Sequence, residues 1–232
     1  MRGLLLALLL LLSPLGPVAC AAPGPSSSYG CGSSGVPCLK GTALVELKTS
    51  KGTVQLSLDG SAAPLTAGNF VDLVRRGAYN GTLFHRVVKE PIPFVVQGGD
   101  PQSANPNTPV DLLGTGSYVD PTTGQPRLIP LELFLDGEQT PRYGEIAVGP
   151  GQAARLKLQH QRGALAMARS NDPNSASAQF YIALRALPEL DGRYAVFGRV
   201  TKGMDVVDQI SQGDKLISAS VLEGGTLVQD AK

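Results

Sequence analysis

Glycine and proline punctuate this chain so densely that few long regular elements fit between them. There are 28 glycines and 18 prolines among 232 residues, and both are poor occupants of helix and strand interiors. That argues against a helical bundle or coiled coil and for short strands joined by turns. Between the breakers, Ala43 to Leu47 and Thr53 to Leu58 alternate apolar and polar residues around Ser50-Lys51-Gly52, which predicts a β-hairpin. Pro64 opens a helical pattern with Leu65, Phe70, Leu73 and Val74 at turn-like spacing, closed by Arg75-Arg76-Gly77. A second short helix is expected from Met204 to Ser211, before Gly213. Turn-bounded apolar runs at Phe94-Val95-Val96, Ala164 to Ala168, Phe180 to Leu184, Ala195 to Phe197 and Leu216 to Leu222 read as strands. Many strands, two short helices and no βαβ rhythm predict a mainly β fold, a closed antiparallel barrel capped by helices.

Charge and ligand content then exclude several classes of function. Lys and Arg total 20 against 19 Asp and Glu, and Arg2 is the only charge before residue 40, so the rest of the chain is balanced. It carries no overall electrostatic footprint for nucleic acid or for an anionic membrane. The two histidines are His85 and His160, and all three cysteines precede residue 39. The body therefore lacks both a Cys/His zinc set and a thiol nucleophile, and no metal or cofactor is expected.

Residues 1–21 read as a signal peptide. Met1-Arg2 precedes the apolar run Leu4 to Leu12, which is too short to span a bilayer, and small residues follow at Val18-Ala19-Cys20-Ala21. Cleavage after Ala21 is one reading; lipidation of Cys20, which alone would bring the protein to a membrane, is the other. Residues 22–40 read as a Ser/Gly/Pro-rich linker, in which Cys31 and Cys38 form either a small disulfide loop or two free thiols. Residues 41–232 form one domain, with a proline-rich insert at about 101–160: eight of the 18 prolines lie between Pro101 and Pro150. The insert is expected to be a long loop ordered by packing.

Polar residues embedded in apolar strands are the candidates for chemistry. Phe84-His85-Arg86-Val87-Val88 carries a charge inside a strand pattern, and Phe94-Val95-Val96-Gln97-Gly98-Gly99-Asp100 ends a strand in an amide and two glycines. Ala178-Gln179-Phe180-Tyr181-Ile182 puts Gln179 and Tyr181 on one strand face. Phe84, Phe180 and Phe197 are expected in the core. His85, facing away from Arg86, is expected to be buried and hydrogen-bonded, and Asp100 to organise a turn by accepting backbone hydrogen bonds. His160, flanked by Lys157 and Arg162, is expected in a solvated basic patch.

Taken with Gly163 to Ala168 and with Leu190-Asp191-Gly192-Arg193-Tyr194-Ala195-Val196-Phe197-Gly198, these segments resemble the cyclophilin family of peptidyl-prolyl cis-trans isomerases in order and content. The resemblance runs from about Leu44 to Ile210. Around Lys89-Glu90-Pro91 and Ala168-Arg169-Ser170 it is closest to exported bacterial, cyanobacterial and plastid members. It implies a closed eight-stranded antiparallel barrel with a helix over each end and a proline-binding groove on the outer face. Arg86 matches the catalytic arginine. Phe94 and Val95 match the apolar floor for the proline ring, Tyr181 and Leu190 its wall, and Tyr194 a position beside it. Gln97 and Gln179 match the groove glutamines, Gly114 a groove-edge glycine, and Ala168, Arg169 and Ser170 the segment whose backbone lies along the substrate.

The resemblance implies acceleration of X-Pro rotation in exported proteins, assisting their folding. The partners it implies are extended proline-containing polypeptides, bound by a monomer without a cofactor. The rival reading is a module that binds proline-containing segments, or a chaperone-like scaffold, with incidental turnover. Several positions depart from the family pattern. Lys89-Glu90-Pro91 lengthens the path from Arg86 to Phe94, Val95 stands for a pocket methionine, and Tyr181 stands for phenylalanine, bringing a hydroxyl that needs a partner. Glu189 stands where cyclosporin-sensitive members usually carry tryptophan, and Tyr194 where they carry histidine, so weak cyclosporin binding is expected.

Overall fold

The computed structural model describes residues 30–31, 35–149 and 151–229. The expected signal segment 1–21, Cys20 and most of the 22–40 linker lie outside the described residues. Strand β1 spans Cys38–Thr49 and β2 Gly52–Asp59. They pair antiparallel as the alternation predicts, with Val45 opposite Leu56 and Leu47 opposite Val54, all four fully buried. Helix α1 spans Pro64–Arg75. Further strands follow at Arg86–Val88 (β3) and Val95–Gly98 (β4), then Glu132–Leu133 (β5) and Arg142–Tyr143 (β6). Ala164–Met167 (β7), Phe180–Ala183 (β8) and Val196–Lys202 (β9) lead to helix α2 at Met204–Gln209 and strand β10 at Leu216–Val228.

Eight of these strands form one antiparallel sheet in the order β10-β1-β2-β9-β7-β8-β4-β3. The sheet curls as expected, but its ladder does not close, because the three-residue β3 begins only at Arg86, past the residues that meet the start of β10. The residues just ahead of β3 span the seam instead. Leu83 bridges Lys215, Phe84 N–H donates to Asp214 O at 2.9 Å, and Leu216 N–H donates to Thr82 O at 2.8 Å. Inside, Phe70 of α1 meets Tyr79, Phe180 and Phe197 at ring-centre distances of 4.9, 5.4 and 5.2 Å. All four rings are shut off from solvent.

Strand β1 starts at Cys38, within the segment expected as linker. Cys38, Leu39 and Lys40 pair with Val228, Leu227 and Thr226 of β10, and Cys31 and Cys38 are joined as a disulfide. This first stretch crosses α1 at Gly68, where a Cβ would lie 2.1 Å from Pro37 O. Glycine in mid-helix costs roughly 1 kcal/mol relative to alanine; here the close crossing requires it. The disulfide closes a loop of sequence separation 7, worth about 2–3 kcal/mol as lost freedom of the unfolded chain. Reduction is expected to lower the unfolding free energy by that amount, read from urea titrations with and without reductant; unchanged midpoints would contradict it.

The stretch between β4 and β7 is largely irregular, and part of it packs on the domain. Leu131, Leu133, Leu135, Ala147 and Leu156 form a small apolar cluster with Ala195. Its two-residue strands β5 and β6 are too short to leave a periodic signal. Glu132 of β5 is buried and accepts the N–H groups of Leu65 at 3.0 Å and Thr66 at 2.8 Å, together with the Tyr143 hydroxyl at 3.0 Å. Helix α1 has no side-chain cap of its own at Ala63, so the insert supplies the acceptor its first turn needs. Burial pushes the Glu132 carboxyl above its usual range, against the pull of these donors.

Candidate active site

Strand register brings the candidate residues onto one face. Arg86 on β3 pairs with Gln97 on β4, and Gln97 pairs with Tyr181 on β8. Partners across a ladder share a face, and residues two apart on a strand join them, so Val95 and Gln179 lie on this face too. The intervening residues Val96, Ile182 and Leu165 point into the barrel core. Outside, Val95, Ala166, Tyr181, Ala183 and Val196 form a second apolar cluster, with Phe94, Leu190 and Tyr194 packed against it. Apolar side chains cover both faces here, which is why β4, β7 and β8 read as continuous apolar runs rather than alternating ones.

Two adjoining cavities open on this outer face. The smaller, about 270 Å³, has Arg86, Phe94, Val95 and Gln97 on one side and Ala168, Arg169, Tyr181, Leu190 and Tyr194 on the other. The larger, about 480 Å³, shares Gln97, Ala168 and Arg169 with the first and adds Gly114, Ser170 and Gln179. Every candidate residue thus lines one continuous groove.

A chain of hydrogen bonds sets the polar side of the groove. Arg86 Nη1 donates to Gln97 Oε1 at 3.3 Å, with its guanidinium carbon 5.9 Å from the Phe94 ring centre. Gln97 Nε2 donates to Gln179 Oε1 at 3.2 Å, and Gln179 Nε2 donates to Gly114 O and Gly116 O at 3.0 and 2.8 Å. The strap carrying these glycines is fixed by Asp100, which is fully buried and accepts from Gly114 N at 2.6 Å and Gln102 N at 2.9 Å. Asp100 thus organises its turn as expected. Its carboxylate lies under the groove edge and does not face the cup.

Three expectations need correction or completion. His85 is shielded beneath Gly114, where a Cβ would come within 2.9 Å of its ring. Neither of its ring nitrogens meets a hydrogen-bond partner among the described residues. Burial accordingly lowers its pKa. The Lys89-Glu90-Pro91 extension is anchored: Lys89 Nζ donates to Asp208 O at 2.5 Å and Ile210 O at 2.6 Å, satisfying carbonyls at the end of α2.

His160 is the clearest correction. It is 1% exposed, not part of a solvated basic patch, because the Leu187-to-Asp191 turn folds over it. Its Nδ1 lies 2.8 Å from Asp191 Oδ1 and its Nε2 2.9 Å from the Tyr181 hydroxyl, so the tyrosine has its partner. Burial lowers the His160 pKa despite Asp191, keeping the imidazole neutral, and pushes the Tyr181 phenol well up. Asp191 follows the groove residue Leu190 in the chain, but nothing local in the sequence marks His160, 31 residues before it, as its partner.

On the far wall, the Arg169 guanidinium is occupied by backbone. Nη2 donates to Arg193 O at 2.6 Å and Nη1 to Ser170 O at 2.7 Å, while its carbon sits 4.7 Å from the Tyr194 ring centre. Arg169 therefore braces the wall and leaves Arg86 as the cation facing the cup. At the rim, Glu189 pairs with Arg185 at 2.6 Å.

A curled antiparallel barrel with an outer-face groove of an apolar cup, an arginine and two linked amides defines a cyclophilin-type domain. The family model described as cyclophilin type peptidyl-prolyl cis-trans isomerase matches residues 44–225, and the chain belongs to that family. A protein described as a thylakoid lumen peptidyl-prolyl cis-trans isomerase of Synechocystis sp. is 38% identical over 199 residues, covering 82% of this chain and 49% of that protein. A chloroplastic peptidyl-prolyl cis-trans isomerase of Arabidopsis thaliana is 37% identical, covering 82% of this chain and 44% of that protein. The chain thus spans about half the length of these two relatives. Peptidyl-prolyl cis-trans isomerase A of Dickeya dadantii is 36% identical, covering 72% of this chain and 70% of that protein. A solved cyclophilin of Hirschia baltica superposes with a TM-score of 0.55 at 27% identity, over 79% of this chain and 75% of that chain. A cyclophilin type isomerase of Cryptosporidium parvum shares the fold, with a TM-score of 0.58 at 23% identity over 79% of this chain and 99% of that chain.

Proposed function

We propose that this chain is a peptidyl-prolyl cis-trans isomerase acting on extended proline-containing segments of exported proteins, with Arg86 as its catalytic donor. The observation that carries this reading is the register Arg86-Gln97-Tyr181 across three adjacent strands, which sets a guanidinium at the rim of an apolar cup.

The chemistry needs no broken bond. Amide resonance opposes X-Pro rotation with a barrier of about 18–20 kcal/mol, and uncatalysed exchange takes roughly 10–100 s. In the twisted transition state conjugation is lost and the proline nitrogen becomes pyramidal and basic. A donor aimed at that nitrogen therefore lowers the barrier more than it stabilises the planar ground state. Arg86 supplies a cationic donor. The cup formed by Phe94, Val95, Tyr181, Leu190 and Tyr194 grips the pyrrolidine ring. Gln97, Gln179 and Gly114 hold the flanking peptide together with the Ala168-Arg169-Ser170 backbone, so the preceding carbonyl swings against a fixed ring. A ~10⁵-fold acceleration corresponds to about 7 kcal/mol, within reach of one charge-assisted hydrogen bond in a half-dry groove combined with restricted geometry.

Residues 1–21 act in this reading as an export signal, consistent with lumenal and chloroplastic relatives, and the mature protein works as a monomer. Following the proline-isomer exchange of a short X-Pro peptide by NMR tests the activity; exchange no faster than in buffer would overturn it. Cyclosporin is expected to inhibit weakly. Glu189, held by Arg185 at the rim, offers a carboxylate in place of an indole donor, and one lost hydrogen bond of about 1 kcal/mol weakens binding several-fold. An inhibition titration against a tryptophan-bearing family member checks this, and equal inhibition would contradict it.

A further inference from the structure

We propose that His160 and Asp191 are positioning residues of the groove: they hold the Tyr181 hydroxyl away from it, so that a tyrosine serves as apolar wall where the family usually has phenylalanine. The inference rests on the proposed X-Pro site for its ligand, but its observations are independent of Arg86.

The hydrogen bonds have one consistent direction. Asp191 Oδ1 accepts both the His160 backbone N–H and the Nδ1–H, each at 2.8 Å. A carboxylate facing Nδ1 fixes the neutral tautomer with its proton there, leaving the Nε2 lone pair to accept the Tyr181 O–H at 2.9 Å. The opposite tautomer would set two acceptors against each other. His160, Tyr181 and Asp191 are 1%, 4% and 8% exposed, so no member of the chain exchanges its partner for bulk water. The histidine and tyrosine rings are nearly parallel, 11° apart with centres 5.9 Å apart, and Tyr194 meets Tyr181 edge-on at 5.9 Å.

The arrangement also ties two walls of the cup together. Leu187 N–H donates to His160 O at 2.8 Å and Leu190 N–H to Leu187 O at 2.9 Å, so the turn that ends in Asp191 carries Leu190 with it. Removing the acceptor at His160 leaves a phenol hydroxyl without a partner. Tyr181 lines the cup, so water drawn to the freed hydroxyl hydrates that wall. A hydrated cup holds a pyrrolidine ring less well, because binding must then strip that water.

The test is a cycle of His160→Leu, Tyr181→Phe and the double variant, with X-Pro peptide affinity and turnover measured separately by NMR. His160→Leu is expected to raise the peptide Kd and KM by about tenfold, the scale of one orphaned buried hydroxyl, with kcat nearly unchanged. Tyr181→Phe keeps the ring in the cup wall and removes only the hydroxyl, and its measured affinity is the reference for the double variant. The double variant is expected to recover the Tyr181→Phe affinity, since removing both partners leaves no orphan. Wild-type affinity in His160→Leu, or a double variant as weak as His160→Leu, would overturn the proposal. If His160→Leu does not fold, the ¹⁵N spectrum of wild type decides: protonated Nδ1, with an Nε2 signal that moves on Tyr181→Phe, upholds it, and protonated Nε2 overturns it. A wild-type chain that binds peptide without turning it over would remove the isomerase reading and leave this one to the affinity cycle. Normal turnover with an unaffected His160→Leu would remove this one alone.

Discussion

Arg86→Ala is expected to lower kcat/KM for an X-Pro peptide by about 10²–10³-fold, the loss that follows removal of one preorganised donor from a transition state. The drop should fall mainly on kcat. Planar substrate gains little from a guanidinium aimed at its nitrogen, whereas the pyramidal nitrogen of the twisted state gains much. Stability should hardly change, because Arg86 is exposed and its one side-chain bond, to Gln97, is long at 3.3 Å. Arg86→Lys should recover part of the rate: the charge returns, but the planar fork and its contact with the Phe94 face do not. NMR exchange rates at matched peptide concentration, with thermal melts of both variants, check the pattern. An Arg86→Ala protein as fast as wild type would sink the assigned role while leaving the peptide-binding groove in place.

Phe70→Ala is expected to produce the largest loss of stability. Phe70 is the ring on α1 that three other buried rings touch, and emptying such a site costs about 3–5 kcal/mol. At roughly 2–4 °C per kcal/mol for a domain of this size, the melting temperature falls by about 6–20 °C. Helix α1 packs on β1 and β10, the strands at the start and end of the domain, so both should lose hydrogen-exchange protection together. A variant that melts with the wild type would show that the ring cluster can collapse around the gap.

The elements most legible in the sequence are those whose signal is local. The β1-β2 hairpin follows from alternation around Ser50-Lys51-Gly52, and α1 from Pro64, its apolar spacing and a glycine stop. The groove residues follow from family motifs, and all of them line the two adjoining cavities. What the sequence hides are contacts across long separations between segments that carry no period. Glu132 sits among leucines with nothing to say that it caps α1, 67 residues back along the chain. His160 lies between basic residues and reads as surface until the turn at Leu187 covers it, and only then does the Tyr181 hydroxyl acquire an acceptor. The seam of the barrel is hidden for a different reason: strand pairing there uses Thr82 and Phe84, outside any apolar run.

The residues around the groove come from stretches far apart in the chain: Arg86 to Gln97, the strap at Gly114, Ala168 to Ser170, and Tyr181 to Tyr194. Arg86 and the floor of the cup, Phe94 and Val95, come from neighbouring strands, but the wall formed by Tyr181, Leu190 and Tyr194 comes only after the insert. During synthesis, therefore, a chain that has emerged only as far as the insert has its arginine but not the wall of Tyr181, Leu190 and Tyr194. Contacts of such long range form late, so peptide-isomerising activity should arise in a single step at the completion of folding, and its appearance would time the last strands entering the barrel.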